Sequence, residues 1–580
     1  MVRAVLVVPR YPGQPNRLDA YCEALNRKLA GDNIDPRPAT LVRSSGVSAA
    51  LLNPSAAAQV QGASIAVGTL LAPRDDWHVP KAALPDGSFA LLRADDARVE
   101  LASDSVGSRT LWYAMTDREL IASTSQRAIV TLLGSFEPNR AALPWMLSSG
   151  TLGPTAAWDA RVQRLQPGQR LLLDRASWRL ESRTEPVVFE ADESRPRAAH
   201  LERLLGAVSD ACRRWSFDAR KWVLTLSGGA DSRSLLCLLR ERGIATVTWG
   251  LPQAPEEEGN DAQIARTLAQ TLCVPHRFFA IDDRGDSVNA LLDRFLSAGE
   301  GRVARISGYV DGFRVWKTLF DEGYHGVIRG DEAFGSVPVR NAYSARWAAS
   351  LTTLTDYFPD EEIETFELPE QSLPEALLRR DNETLATWRD RLYQQSRVPT
   401  LLAGLTDLKT AYVDVGNPLL ATSVLECVRA LPDDLRTEKR LWRDVVDQQL
   451  PNVAMATQVA IPSLTDFLMD PRVVDALLEE LCSEAAASVL APLLRARCCS
   501  ALRAALREAP PPGRNGERQR ATGFARVVPA KLRAVMRHWS RFDLPPVVLA
   551  FRAYVATRMH RMLRLDAATP PADQQPAVNA

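Results

Sequence analysis

Between residues 222 and 239 an apolar strand runs straight into a glycine-rich loop and then an apolar helix, and this stretch restricts the fold more than any other. The strand covers 223–226, the loop is Ser227-Gly228-Gly229-Ala230-Asp231-Ser232, and helical text follows from Ser234. Such a layout gathers backbone N–H groups at a helix N-terminus, where the peptide dipoles favour an anion and a pyrophosphate fits. The backbone of Leu226, Gly228 and Gly229 comes close to phosphate oxygens there, because two glycines carry no side chain to hold them off. Ser227 and Ser232 add hydroxyl donors, and Asp231 offers a carboxylate suited to magnesium. No Gly-Lys-Ser/Thr follows the glycines, so this is not a Walker loop.

The surrounding text predicts two kinds of architecture. At 580 residues the chain exceeds a single core, and two or three domains are expected. Residues 1–185 alternate short apolar runs with turn residues, giving strands at 4–8, 64–71, 88–92, 99–102, 110–113 and 120–123. Residues 104–107 are expected to form a hairpin-like turn, and 165–173, carrying Pro167-Gly168, a closing hairpin. Many strands split by turns imply a sheet sandwich with added helices. A charged, proline-bearing stretch at 184–200 marks a boundary. Beyond it, helices at 198–216, 233–242 and 260–272 alternate with strands at 222–226, 244–249, 277–281 and 326–328. That rhythm predicts a parallel, doubly wound sheet. After 370 the pattern is almost wholly helical, and the proline-rich tail from about 570 is expected to be disordered. The resulting division is 1–185, 198–565 and 566–580.

Several function classes are excluded or disfavoured by composition. Lys+Arg and Asp+Glu each total 70, so bulk charge points to no partner. Residues 495–564 are locally basic, with sixteen Arg/Lys against three acids, but no groove-reading motif or stacking-aromatic pattern accompanies them, which argues against nucleic acid. The eight cysteines form no Cys-x-x-Cys pair, and the six histidines form no ligand-spaced cluster, so free thiols and the absence of a zinc site are expected. The N-terminal apolar run is broken too soon by proline for a signal peptide, and no apolar run reaches membrane-spanning length. A cytoplasmic protein is expected.

Three further segments join the opening loop. The strand ending Trp249-Gly250-Leu251 precedes the acidic loop Glu256-Glu257-Glu258-Gly259-Asn260-Asp261. Ligands of open α/β sheets sit at strand carboxyl ends, so backbone groups of Trp249 and Leu251 are candidates for an adenine edge. Next, Arg329-Gly330-Asp331-Glu332-Ala333-Phe334-Gly335 sets two carboxylates between glycines just after a strand, and Asp331 is expected to share magnesium with Asp231. Last, Glu438-Lys439-Arg440 opens a helix, from which Lys439 is expected to neutralise charge on the α-phosphate and the leaving pyrophosphate.

The order of these segments carries a resemblance. Residues from about 200 to 450 resemble the synthetase domain of the class B asparagine synthetases, whose pyrophosphate loop is of the ATP-pyrophosphatase type. In that family Ser-Gly-Gly-x-Asp-Ser binds pyrophosphate, Gly-x-x-Asp-Glu-x-Phe-Gly helps hold magnesium, and a Glu-Lys helix supplies an essential lysine. The resemblance places these roles on Ser227–Ser232, on Asp331 and Glu332, and on Lys439. Asn417-Pro418-Leu419-Leu420 also matches the family's pre-lysine text. The N-terminal region is similar to the family's glutaminase domain, an Ntn-type sandwich, at Asp86-Gly87-Ser88-Phe89, Asp104, Gly107, Leu111, Tyr113 and Pro167-Gly168. It departs at the position after Met1, where a nucleophilic cysteine is required and Val2 stands instead; Cys22 lies in helical text. The implied fold is α/β plus α+β, a degenerate glutaminase-like sandwich followed by a doubly wound synthetase domain with a helical C-terminal part.

Without glutaminase chemistry the amine must come with the substrate. The resemblance offers two such groups, β-lactam synthetases and lasso-peptide cyclases, and the form of the Gly330-Asp331 element is more similar to the cyclases. This implies an ATP- and magnesium-dependent ligase that adenylates an Asp or Glu side chain of a leader-cleaved peptide and joins it to the peptide's N-terminal amine, with a leader peptidase as partner. An ammonia-dependent or β-lactam-forming amide ligase is the alternative, and a non-catalytic nucleotide- or peptide-binding scaffold a second. In β-lactam synthetases a tyrosine stands three residues before the magnesium-site aspartate; here Ile328 has no acid–base group. An amine that arrives deprotonated, or a neighbour such as Glu332, is left as the proton acceptor.

Overall fold

The computed structural model describes residues 2–570 except 12, 15, 45, 56–57, 73, 283–285, 332, 334, 336, 451–452 and 509–541. Glu332, the middle of the basic stretch and the tail beyond 570 therefore lie outside the described residues. The N-terminal part consists of two six-stranded antiparallel sheets packed face to face. One runs, in spatial order, Gln163–Arg164, Trp112–Met115, Glu119–Ser123, Arg3–Pro9, Val47–Leu52 and Thr40–Ser44. The other runs Arg179–Thr184, Gln169–Asp174, Arg98–Ser103, Asp86–Ala94, Ser64–Ala72 and Gln59–Gln61.

Strand period explains why the strand Arg3–Pro9 is apolar from Ala4 onward. Ala4, Leu6 and Val8 face the second sheet, meeting Ile65, Ala90 and Leu101. Val5 and Val7 face the opposite way, toward Leu18 and Leu25 of helix Arg17–Leu29 and Ile129 of helix Gln126–Leu133. With both faces covered, no position is left for a polar side chain facing water.

Two expected hairpins are instead crossings between sheets. Arg98–Ser103 belongs to the second sheet and Trp112–Met115 to the first, so 104–107 carries the chain from one layer to the other. The buried Asp104 carboxylate fixes the crossing by accepting from the N–H groups of Phe89, Val106 and Ser108, each at 3.1 Å, and from Ser108 Oγ at 2.6 Å. Pro167-Gly168 makes the return crossing, and the true hairpin pairs Gln169–Asp174 with Arg179–Thr184. Turn residues mark where a strand stops; they do not say which sheet the next one joins.

The C-terminal part holds a five-stranded, all-parallel sheet ordered His276–Ala280, Ala245–Gly250, Trp222–Thr225, Gly326–Ile328, Asp414–Gly416. The chain lays two strands to one side of Trp222–Thr225, then returns to lay two on the other. The direction of winding thus switches at the strand that feeds the glycine loop, where open α/β sheets bind ligands. The edge strand Asp414–Gly416 falls in text expected to be helical; three residues are too short to show an alternation. The last helix, Pro546–Ala567, runs past the expected limit at 565, and Asp566 is buried against Arg127 at 2.7 Å and Lys28 at 2.9 Å.

The two parts are joined by buried ion pairs. Arg3 lies 3.5 Å from both Glu300 and Asp407, and Arg109 lies 2.6 Å from the Asp414 carboxylate while also donating to Val415 O. Asp414 is 1% exposed, so removing its partner leaves a charge that water cannot solvate. Arg109→Leu is therefore expected to destabilise the protein by about 3–5 kcal/mol, read as a lowered denaturant midpoint. An unchanged midpoint would show that the pair contributes nothing to the joint.

Candidate active site

The strand Trp222–Thr225 delivers the glycine loop to the helix Ala230–Leu239, whose N-cap is Gly229 and which no side chain caps. The loop is shaped by its own hydroxyls. Ser232 Oγ accepts from Ser227 N and Ser227 Oγ approaches Ser232 Oγ, both at 3.0 Å, while Gly228 N donates to Asp261 at 2.8 Å. Burial pushes the Asp261 carboxyl above the usual carboxylate range, and the Gly228 N–H opposes it.

The second segment arrives by close backbone contact. A Cβ placed on Gly330 would lie 2.8 Å from both the carbonyl carbon and Cβ of Asp231 and 2.9 Å from Ser232 N. Only glycine lets the strand end Gly326–Ile328 and the helix start touch in this way. Asp331, the next residue, is held by Arg329 Nε at 3.1 Å and by Asn417, whose amide donates to its carboxylate at 2.8 Å and whose oxygen accepts from its N–H at 3.2 Å. Asn417 follows directly on the edge strand, so the Asn-Pro-Leu-Leu text positions the second aspartate.

The third segment is strained. Glu438 and Lys439 both adopt left-handed backbone, with φ of 59° and 56°, between the short helix Asp433–Arg436 and helix Arg440–Gln449. Each such residue costs on the order of 1 kcal/mol or more, and non-glycine residues held this way cluster at functional sites. The result is that the largely buried Lys439 Nζ pairs with the Asp231 carboxylate.

Ser227, Gly229, Asp231, Ser232 and Gly330 line one cleft of about 260 Å³, together with Thr225, Leu226, Thr248, Trp249, Asp261 and Arg329; Asp331 and Lys439 reach its edge through Gly330 and Asp231 and are not part of the lining. The cleft's outer wall includes Val459, Ala460 and Ile461, from the stretch 453–461; the chain after 450 is a part expected to shield an adenylate from water. Ala456 N donates to Gly228 O at 3.2 Å and Leu251 N to Ala460 O at 2.8 Å. The buried Arg233 anchors the same stretch through the carbonyls of Val453 and Ala454, at 2.6 and 2.7 Å. Leu251 therefore spends its N–H on the protein, and Gly250 O accepts from Ile281 N at 2.7 Å, so neither is turned to the cleft; Trp249 is. Ile328 is fully buried in the apolar core.

A second cavity of about 420 Å³ adjoins the cleft, sharing Trp249, Arg329 and Ile461 as its wall. Lys409 reaches into it from helix Ala403–Thr410. Its Nζ donates to Leu405 O at 2.7 Å and Tyr309 Oη at 2.9 Å. Burial, reinforced by the Arg329 charge and opposed by Asp331 and Asp407, holds the Lys409 amine well below the usual lysine range. Arg233 and Arg329 stand inside or beside motifs and were open to recognition. Lys409 had no such signal, being one lysine in ordinary helical text.

The donor set suits magnesium. Asp231 and Asp331 bring two carboxylates to adjoining backbone, and magnesium takes one or two carboxylates with waters and phosphate oxygens. Both carboxylates are meanwhile balanced by cations of the chain, Lys439 and Arg329.

A parallel sheet whose central strand feeds such a loop, with a lysine helix and a second aspartate brought to it, defines an ATP-dependent carbon–nitrogen ligase of the asparagine-synthetase type. Residues 203–539, more than half of the chain, match the family model described as asparagine synthase, and the chain belongs to that family. No curated protein matches the chain. Among solved structures, a glutamine phosphoribosylpyrophosphate amidotransferase from B. subtilis, complexed with ADP and GMP, is 8% identical over 50% of this chain and 94% of its own, with a TM-score of 0.21. An allosteric regulatory enzyme of purine biosynthesis is 9% identical over 53% of this chain and 93% of its own, with a TM-score of 0.23. At such scores neither likeness carries weight.

Because a Cβ on Gly330 meets backbone rather than a movable side-chain tip, Gly330→Ala must part the two segments. The expected cost is about 1–3 kcal/mol of stability together with at least tenfold weaker ATP binding, measured with a fluorescent ATP analogue. Wild-type affinity in this variant would show that the close approach is not needed.

Proposed function

We propose that the protein is a lasso-peptide cyclase. It activates an Asp or Glu side chain of a leader-cleaved peptide as the acyl-adenylate, then joins it to the peptide's own N-terminal amine. The observation that carries this reading is a row of three adjoining cavities. The cleft at the glycine loop shares Trp249, Arg329 and Ile461 with the second cavity, which shares Ser149, Arg305 and Arg552 with a third of about 290 Å³. A row of chambers suits an extended chain better than a single small acid. The N-terminal sandwich supports an amine that arrives with the substrate: Val2 is buried there, and burial pushes the Cys22 thiol up to about 11, leaving it inert as a nucleophile.

In the first half-reaction a carboxylate oxygen of the peptide attacks the α-phosphorus of ATP. The bond to the bridging oxygen breaks, and pyrophosphate leaves. The loop 227–232 binds the departing phosphates, and Lys439 balances their charge together with the oxygens of the reacting phosphorus. Magnesium, when held by Asp231 and Asp331, neutralises phosphate charge as it does for ligases of this family, which use ATP. Residues 453–461 shield the adenylate from water.

In the second half-reaction the N-terminal amine attacks the acyl carbon and AMP departs, so one proton must leave the nitrogen. Lys409 takes it. A neutral lysine amine has two hydrogens, and both are spent on Leu405 O and Tyr309 Oη, which leaves its lone pair as an acceptor toward the cavity. Above its depressed pKa the amine is in this base form. As pH falls through that value it becomes an ammonium and amide formation slows.

The two lysines are separable. Lys439→Ala is expected to lower peptide-dependent ATP–pyrophosphate exchange by about 10²–10³-fold. Lys409→Met is expected to leave that exchange within a fewfold of wild type while lowering amide formation about 10²–10⁴-fold and removing the acid limb of its pH profile. Equal loss of exchange in both variants would remove Lys409 from the second step.

The reading itself is tested by exchange with leader-free peptides bearing an internal Asp or Glu, and by mass spectrometry for loss of one water. Peptide-dependent exchange and a cyclised product are expected from the wild type, and neither from Asp231→Ala. Exchange with free aspartate and ammonia, or with a small β-amino acid derivative, would replace the cyclase by one of the smaller-substrate ligases. No exchange with any of them, and no difference from Asp231→Ala, would leave a scaffold.

A further inference from the structure

The third cavity is lined by Arg305, Arg397 and Arg552, together with neutral residues including Tyr357 and Trp347, and by no Asp or Glu. The arginines come from three separate parts of the chain: the loop after Val303, the helical stretch Tyr393–Leu402, and the helix Pro546–Ala567. None has an ion-pair partner among the described residues. Arg397 donates to Ala348 O at 3.2 Å and Ser350 Oγ at 3.0 Å, and Arg552 to Leu147 O at 2.9 Å and Ser148 O at 2.6 Å, all neutral acceptors. The Nε atoms of both are buried without a partner, and Arg305 makes no hydrogen bond at all among the described residues. Many other arginines of this protein are paired with carboxylates, Arg93 with Glu100, Arg127 with Asp566 and Arg391 with Glu383, although the buried Arg164 and Arg233 bond only carbonyls.

Three guanidinium groups around one space repel one another. Desolvation within the cavity and then the neighbouring Arg397 charge bring Arg305 down to about 10, although Arg305 remains exposed to solvent on one side, and desolvation with the Arg305 charge does the same to the half-buried Arg552. An arrangement this unfavourable by itself is relieved by an anion, and the planar, forked donors of arginine match a carboxylate.

We propose that this cavity is a carboxylate-binding subsite, taking a second, unactivated carboxylate of the acid substrate while the reacting one lies toward the glycine loop. The proposal rests on the reading of the row of cavities as the site of the peptide substrate, since Arg305 and Arg552 line both the second and the third. The carboxylate comes from an acidic side chain or from the substrate's C-terminus. In either case the subsite fixes which carboxylate is placed for activation, because the other is held away.

The test uses the full-length protein and three short peptides: acetyl-Gly-Gly-Glu-Gly-Gly-amide, acetyl-Gly-Gly-Gln-Gly-Gly with a free C-terminus, and acetyl-Gly-Gly-Gln-Gly-Gly-amide. Binding is followed by ligand-observed NMR at low ionic strength. At least one carboxylate-bearing peptide is expected to bind about tenfold or more tightly than the neutral one, and which does so identifies the source. Arg305→Ala is expected to abolish that preference, and Arg305→Glu to reverse it; because Arg305 makes no internal bond, both should keep the wild-type circular dichroism. Arg397→Gln provides a second, independent variant expected to weaken the preference. Equal binding of all three peptides, or a preference that survives Arg305→Ala, overturns the proposal. ATP binding is measured alongside and is expected to be unchanged in Arg305→Ala. Failure of the wild type to bind ATP would count against the ligase reading while leaving the carboxylate preference to be judged by itself.

Discussion

The backbone contact between Gly330 and Asp231 is the constraint on which the rest of the site depends. Two neighbouring parallel strands end at the same edge of the sheet, one continuing into the glycine loop and the other into Gly330-Asp331. Parallel strands about 4.8 Å apart would ordinarily leave room for side chains between the loops that follow them. Here the absence of a Cβ lets the second loop rest on the first turn of the helix Ala230–Leu239. Asp331 is thereby carried to the same edge as Asp231, Asn417 clamps it from the next strand, and Arg329 lies in the wall between two cavities. Every later element of the site is positioned against this seam.

The N-terminal sandwich has a mechanical part in the same arrangement. Its arginines cross the joint to Glu300, Asp407, Asp414 and Asp566, each with the carboxylate nearly or largely buried. Arg302, which belongs to the C-terminal part, returns the connection through Asp407 and Thr110. Asp414 opens the edge strand, which is followed directly by Asn417, the residue that holds Asp331. The N-terminal sandwich thus braces the outermost strand of the sheet that carries the candidate site. Buried pairs of this sort add little net stability over apolar contacts, but breaking one side is costly, and that fixes the relative placement of the two parts.

The legible portion of this fold was the portion governed by local rules. The strand–loop–helix at 222–239, the alternation of strands and helices after 200, and the run of strands before 185 follow from periodicity and turn residues, and the structure has them within a few residues. What was not legible depends on choices made far away in sequence. Residues 104–107 carry the signal of a turn whether the next strand returns to the same sheet or crosses to the other, and a buried Asp104 makes the crossing. Asp414–Gly416 joins the sheet because Gly326–Ile328 offers an open edge, not because its three residues favour a strand. At the candidate site, Asp231, Gly330, Asp331 and Lys439 stand in motif text, whereas Lys409 is set apart only by its surroundings: Tyr309 lies 100 residues away in the sequence. The reassignment of Leu251 has the same origin, since its N–H is claimed by Ala460 from the wall 453–461.

Strain explains why the lysine helix begins where it does. Two consecutive left-handed residues cost the fold on the order of a few kcal/mol, and a glycine at either position would lower that cost. Glycine at 439 would remove the ammonium, and glycine at 438 would loosen the turn that aims it. The kink shifts the axis of Arg440–Gln449 relative to the preceding turn, and the helix is then locked by Leu441, Trp442, Val445 and Val446 in the apolar core beneath the loop. The packing of that helix therefore supplies the energy that holds Lys439 against Asp231. In the proposed reaction, a lysine held in advance would lose little freedom when phosphate charge develops beside it, so its stabilising effect would be concentrated on the reacting state and not consumed in ordering the side chain.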